Sequence, residues 1–459
     1  MKLAIFPLAR STFDLELASE IFTAKLKVLN QLEYELISPP TILLDEEDTN
    51  CFMQHLLKVK FDAILILQLT FRDAETVCNI GSTFDQPMTI WSTNEPREGQ
   101  RLRLNSFCGL NLASHALGLR NRDFNWLYKN PTETTKEDIL NALNGNDSNR
   151  RLHQVHEYVE NHPSQSRREV SAPFKIGLVG QHPPGFDTCK FDKHSLKKNF
   201  NTHVSEFSLD ELFNLAGEYP DEELDDIKDD ISEVSGLDMV NQEELTKSLK
   251  LKLALEKLQN DHSLDAFAIR CWPETFTEYG AAVCGSVSLM GEKKVPCACE
   301  ADVMGALSQL YLQKITNEPT FLVDLVDMDI SDDTGVVWHC GQAPFSMSNP
   351  SHHIEATVHT NRLKPLLFQF PLKKGGITLF RITQSFGGIR VVMITGEGLD
   401  KPMAYTGTSG IIRFENGVEK VLEGLIEERI EHHLVLAYGN YRKEISDFSS
   451  GYGLTLLEL

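Results

Sequence analysis

Ala266-Phe267-Ala268-Ile269-Arg270-Cys271-Trp272-Pro273-Glu274 joins four residues of strand character to a polar segment that ends in a carboxylate. A second stretch repeats the plan. Val295-Pro296-Cys297-Ala298-Cys299 reads as a strand, Glu300-Ala301-Asp302 follows it, and an apolar helix is expected over residues 303–311. Strands that alternate with helices form parallel sheets, whose ligands gather at the carboxyl ends of the strands. Two such ends in one sheet bring acidic side chains together, as a metal site requires.

The same alternation extends towards the amino end. Residues 3–8, 34–37, 63–67 and 87–91 read as buried strands, and Leu17, Ile21 and Leu26 give residues 15–29 a helical spacing. These runs make residues 1–132 a first α/β unit. Residues 133–172 read as a connecting helix, over 136–160, and a linker. A second α/β unit, 173–347, opens on Phe174-Lys175-Ile176-Gly177-Leu178-Val179-Gly180. Its pattern Gly-x-x-Gly-x-x-Pro-x-Gly-Phe differs from the dinucleotide fingerprint, and Pro183-Pro184 would interrupt the helix that fingerprint needs. The acidic stretch 221–233 and the segment to 258 read as exposed helix. From 348 to 459 the chain turns β-rich, with strands at 353–359, 376–383, 389–395, 411–414 and 434–438 and a helix at 418–430; hairpins or a small barrel fit these spacings.

A length of 459 residues suggests about three domains. The formal charge of −22 and the lack of a long basic run exclude a nucleic-acid partner. Met1-Lys2-Leu3 leads straight into a strand, so no export signal is expected, and no apolar run reaches the ~20 residues that span a bilayer. Nine scattered cysteines point to a reducing compartment rather than a disulfide framework, and the cytoplasm is the expected location.

Glu274, Glu300, Asp302 and Glu431-His432-His433 supply oxygen and nitrogen donors suited to a hard or borderline divalent cation. Each acid also has a plain structural reading, since Glu274 or Asp302 could stabilise the first turn of the next helix. On a strand His432 and His433 point to opposite faces, so one of them at most should be a ligand. Cys297, Cys299 and Cys340 beside His339 raise a rival thiolate zinc site, but Cys-x-Cys is not the usual spacing and buried apolar cysteines are the better account. Arg10 reads equally as a surface cation and Thr12 as a helix cap.

At Arg270-Cys271-Trp272-Pro273-Glu274 and at Pro296 to Asp302 the chain resembles the L-fucose/L-arabinose isomerase superfamily, and more closely its short fucose-isomerase-like branch. The likeness extends to Pro7-Leu8-Ala9-Arg10-Ser11-Thr12-Phe13-Asp14, Leu67-Gln68-Leu69-Thr70-Phe71, Leu102-Arg103-Leu104-Asn105-Ser106 and Val179-Gly180-Gln181-His182-Pro183-Pro184-Gly185-Phe186. It implies two Rossmann-like doubly wound α/β domains followed by a barrel-like β-rich domain. It also implies a homo-oligomer in which a neighbouring subunit helps to close each active site.

The activity implied is that of an aldose-ketose isomerase dependent on Mn²⁺, with Mg²⁺ or Co²⁺ as candidate substitutes. Moving a proton between C1 and C2 forms an enediolate, which a cation holding both oxygens stabilises while a carboxylate carries the proton. The resemblance places the metal on Glu274, on Asp302 or Glu300, and on His433 or His432. Glu274 and Asp302 become the candidate catalytic acids, and Arg10, Gln68, Gln181, His182, Trp272 and His339 the candidate substrate contacts. L-fucose or D-arabinose is the first substrate reading and sulfoquinovose the second. A sulfonate would need a cationic clamp, for which Arg10, Arg97, Arg101, Arg103 and His182 are donors. A non-catalytic sugar-binding protein is the alternative from another class.

Overall fold

The computed structural model describes residues 1–145 and 173–459. Its first sheet is parallel, with strands β1 (Lys2–Leu8), β2 (Glu35–Ile37), β3 (Ala63–Gln68), β4 (Met88–Ser92) and β5 (Asn125–Tyr128) in the order β2-β1-β3-β4-β5. Alternate residues serve opposite faces. Ala4, Phe6, Ile64 and Ile66 enter one core cluster, while Leu3, Ile5, Leu65 and Leu67 enter another, beneath the helices Leu15–Leu29 and Lys136–Asn144. Burial on both faces is why these strands read as continuous apolar runs.

The second sheet is also parallel: β6 (Phe174–Val179), β7 (Thr202–Phe207), β8 (Ala266–Ile269) and β9 (Cys297–Ala298), in the order β7-β6-β8-β9. The two acid-bearing strand ends therefore are neighbours, as the sequence suggests. The helix Val303–Thr316 leaves the end of β9 with Asp302 as its cap, accepting the Gly305 N–H at 2.8 Å.

The third sheet is mixed: β10 (Phe321–Asp329), β11 (Thr334–His339), β12 (Glu355–Thr357), β13 (Leu367–Pro371), β14 (Gly375–Thr383), β15 (Arg390–Gly398), β16 (Thr408–Phe414), β17 (His433–Tyr438) and β18 (Leu456–Glu458). Because β16 pairs with both β11 and β15, the strands β16-β11-β10-β17-β14-β15 close into a ring. Its side chains Leu322, Phe380, Ile382 and Val435 pack with Ala306, Leu307 and Leu310 of the helix Val303–Thr316. The seam between the ring and the second sheet is where the acids that follow β9 meet His432 and His433 at the head of β17.

Three expectations shift. The β-rich sheet takes its first strands, β10 and β11, from before residue 348, because their pairing partners β16 and β17 lie far along the chain. The connecting helix stops at Asn144, capped by Gly145 in the left-handed region at φ 67°, and residues 146–172, with the rest of that helix and the linker, lie outside the described residues. The helix Gln242–His262 is not merely a solvated face, since Leu245, Leu249, Leu251 and Leu255 are buried beneath its charges. No helix among the described residues is long and apolar enough to cross a membrane.

Asp327 of β10 ties the first unit to the ring. It accepts from Arg97 Nε at 2.6 Å, Tyr128 Oη at 2.7 Å and the Glu95 N–H at 3.0 Å. Asp327→Ala leaves Arg97 and Tyr128 without this buried acceptor and should lower stability by about 3 kcal/mol, read as a shift of the urea unfolding midpoint.

Candidate active site and metal centre

Asp324 of β10 and His433 of β17 are direct cross-strand partners in antiparallel pairing, which sets their side chains side by side on one face. Glu300 approaches from the end of β9. Its backbone lies in the left-handed region (φ 60°, ψ 23°), as does that of Ala301 (φ 58°). This turn carries the Glu300 carboxylate to the ring, where Oε2 lies 3.7 Å from His433 Nε2, while Asp324 Oδ1 lies 3.5 Å from the same nitrogen.

The tautomer of His433 follows from its partner. Its Nδ1–H donates to Asp302 Oδ2 at 2.9 Å, because a carboxylate can only accept. The lone pair of Nε2 is thereby turned towards Glu300 and Asp324. Burial, and then the charge of His432, lower the pKa of His433, which favours the neutral imidazole that a metal ligand must be. His432 Nε2 donates to Glu300 Oε2 at 3.0 Å, and Trp272 Nε1 donates to Glu300 Oε1 at 3.0 Å. Burial alone would raise the pKa of Glu300, but the His432 hydrogen bond and both imidazoles hold it down.

Among the described residues, Asp324 Oδ1, His433 Nε2 and His339 Nε2 are buried and have no hydrogen-bond partner. Asp324, His339 and His433 nevertheless each bring a ligand atom within 4.8 Å of the others, and so do Glu300, His432 and His433. Buried polar atoms without partners are rare and need a compensating group. A divalent cation bound at roughly 2.1 Å holds adjacent ligands about 3 Å apart, so His433 with Asp324 at 3.5 Å, or His433 with Glu300 at 3.7 Å, fits one with slight contraction; the two acids belong to separate groups that share His433.

Asp302 stands behind this set. Both its oxygens receive the buried Arg381 guanidinium, at 2.7 and 3.2 Å, and Arg381 also donates to the backbone oxygens of His433 at 3.1 Å and Thr188 at 3.3 Å. Burial alone would raise the Asp302 pKa, yet Arg381 and His433 hold it well below the ordinary carboxylate value.

The structure thus brings Glu300, His433, His339 and Trp272 together, with Asp302 as the support of His433. It does not bring Glu274, whose carboxylate is forked onto Arg270 at 2.6 and 2.7 Å. The backbone oxygens of Gln181 and His182 accept from that same Arg270, and neither residue lines the pocket. Gln68 is fully buried and donates to the Thr70 oxygen, and it does not line the pocket. Arg10 stacks on the pocket residue Trp272 of its own chain.

Sequence reasoning missed Asp324. Its signal was present in Phe321-Leu322-Val323-Asp324-Leu325-Val326-Asp327, an apolar strand interrupted by acids. The opposite-faces argument for the histidine pair also fails, because β17 begins at His433 and His432 lies outside strand alternation; their ring centroids are 3.8 Å apart. Cys284 Sγ and Cys340 Sγ are 3.5 Å apart, and all nine cysteines are free.

A family model described as fucose/sulfoquinovose isomerase, N-terminal domain, matches residues 4–145. A sulfoquinovose isomerase of Priestia megaterium is 31% identical over 444 residues, 96% of this chain and 95% of its own. The chain belongs to the fucose/sulfoquinovose isomerase family. A sulfoquinovose isomerase of Alkalicoccus urumqiensis is 31% identical over 457 residues (99% and 98%), and one of a Clostridium species is 27% identical over 450 residues (97% and 96%). Family membership makes this chain an aldose-ketose isomerase.

Arg381→Met strands two buried carboxylates, Asp302 and Glu431, and should lower stability by about 3–5 kcal/mol in urea unfolding. The pH dependence has a defined sign. A carboxylate whose folded pKa is depressed stabilises fully above its unfolded value, here near 3.8, and loses that contribution as pH falls towards the folded value. Asp302→Asn should therefore lower stability at neutral pH and flatten its fall in acid, measured by unfolding between about pH 2 and 7.

Proposed function

We propose that this protein is a sulfoquinovose isomerase, which converts the 6-sulfonated aldose to sulfofructose through an enediol with Mn²⁺ as cofactor. The single observation that carries the metal is the buried His433 Nε2, which has no hydrogen-bond partner among the described residues and lies 3.7 Å from Glu300 Oε2 and 3.5 Å from Asp324 Oδ1. Oxygen-rich donors with one imidazole suit Mn²⁺, with Mg²⁺ or Co²⁺ as possible substitutes on the same grounds. The sugar is supported by relatives named sulfoquinovose isomerase that align over nearly the whole chain. The three sheets are consistent with two doubly wound units and a barrel-like unit, and free cysteines throughout are consistent with the cytoplasm.

When bound, the cation would hold the sugar's O1 and O2 and stabilise the enediolate. Asp302 keeps the His433 tautomer that leaves Nε2 free. Trp272 and His432 orient Glu300 by hydrogen bonds to its two oxygens. We assign the proton moved between C2 and C1 to Asp324, whose carboxylate lines the pocket with Glu300 and His339. Glu274, expected from sequence to ligate and to act as base, takes a supporting role. Its forked bond to Arg270, more than burial opposes, lowers its pKa and makes it a poor base.

Asp324→Asn should reduce turnover by 10³-fold or more and stop the exchange of the C2 hydrogen with solvent deuterium, while Mn²⁺ affinity, measured by calorimetry, falls about 10–100-fold. Glu274→Gln should retain solvent exchange at C2 and lose no more than about tenfold in kcat, since it disturbs only a partly exposed pair. Wild-type exchange in Asp324→Asn, or its loss in Glu274→Gln alone, would reverse the two assignments.

A further inference from the structure

Two arginines stack on Trp272, which lines the pocket around Glu300. Arg10 and Arg362 each place the guanidinium carbon 5.1 Å from the centroid of the Trp272 ring, so the two carbons are separated by no more than twice that distance. Arg10 also stands 5.9 Å from Phe71, and Arg362 5.2 Å from Phe276, aromatic residues that line the pocket with His359 and Asn361. Among the described residues neither arginine has an ion pair. Of the other candidate donors, Arg97 pairs with Asp327 at 2.6 Å, Arg101 and Arg103 pair with Asp14 at 3.4 and 2.9 Å, and His182 Nδ1 lies 3.0 Å from the Pro183 oxygen. Burial chiefly, and the charge of Arg10 to a lesser extent, lower the pKa of Arg362.

Trp272 links this pair to the reaction centre. The edge of its indole donates to Glu300 and its ring carries both guanidiniums. A sugar with its C1 end at Glu300 and Asp324 would extend along the indole and bring its far end to the two cations.

We infer that Arg10 and Arg362 form a clamp for an anionic group at the terminal carbon of the sugar, and that this group is a sulfonate. The inference rests on the isomerase reading above and names the residues that select its substrate. A sulfonate carries one negative charge on three oxygens, and two guanidinium forks can share those oxygens while the charges they bring are neutralised. The clamp explains how a chain of this family would favour a sulfonated sugar over a neutral 6-deoxy sugar with the same ring hydroxyls. Arg362 lies between β12 and β13, just before Leu363 in the left-handed region (φ 57°), far in sequence from Arg10, so only the fold makes them a pair.

The test compares the full-length protein with Arg362→Gln and Arg10→Gln, on sulfoquinovose, on quinovose, which lacks the sulfonate, and on glucose 6-phosphate. Ketose formation is followed with Mn²⁺, and binding of the first two sugars is measured by calorimetry after metal removal. Wild-type protein should prefer sulfoquinovose in both assays, and each substitution should reduce that preference about 10–100-fold, chiefly through KM. Arg362→Lys, which retains charge but not the fork, should fall between the two and serves in place of the Gln variant if that one does not fold. An unchanged preference in the folded variants overturns the clamp and leaves the isomerase reading intact. Preference for glucose 6-phosphate overturns the sulfonate assignment. A wild-type protein that converts none of the sugars overturns the isomerase reading, and the clamp falls with it.

Discussion

The buried pair between Arg381 and Asp302 is the contact on which the site depends. Both side chains are entirely shielded from water. Desolvating two charges is expensive, and such a pair is favourable only when every donor and acceptor is matched. Here Asp302 receives Arg381, His433 and the Gly305 N–H, and Arg381 reaches Asp302 and two backbone oxygens through its terminal nitrogens, while its Nε makes no hydrogen bond among the described residues and faces Glu431 at 3.5 Å. The pair joins the start of the helix Val303–Thr316 to β14 and β17. Gly305 is required beside it, because a Cβ there would lie 2.6 Å from Asp302 Oδ2.

Function is built one step in front of that pair. Asp302 settles the tautomer of His433, and His433 then offers a lone pair to a space already faced by Glu300 and Asp324. This arrangement, carboxylate behind imidazole, is a general means of aiming a ligand and raising its basicity. Glu300 reaches its place through two successive left-handed residues, a conformation that costs about 1–3 kcal/mol for each residue without glycine. The bonds from Trp272 and His432, and the cap formed by Asp302, hold the turn against that cost.

The loop after β6 closes the opposite wall. Gly180, at φ 75°, lets the chain pass Arg270, and Gly185 packs on Asp73 of the first unit, where its oxygen accepts the Ala74 N–H. Phe186 is thereby wedged between Phe71, Trp272 and His432, with ring centroids 5.4–6.0 Å away. The Gly-x-x-Gly-x-x-Pro-x-Gly-Phe pattern is thus a packing device between units rather than a phosphate loop.

The alternation of apolar runs was enough to place β1, β3, β4, β6 and β8, because a strand buried on both faces leaves a continuous hydrophobic signal. Acids at the ends of β8 and β9, and imidazoles before and at the start of β17, were legible as metal donors by residue type alone. Their division of labour was not. Whether Glu300 or Asp302 faces the cavity depends on the left-handed turn between them, and whether Glu274 is free depends on Arg270. Asp324 becomes a partner of His433 only when β10 and β17 pair across more than a hundred residues, and Arg10 meets Arg362 only over Trp272. Local periodicity determines elements and supplies the chemical groups, whereas contacts between distant segments arise when the sheets close, and so tertiary structure alone decided which groups meet.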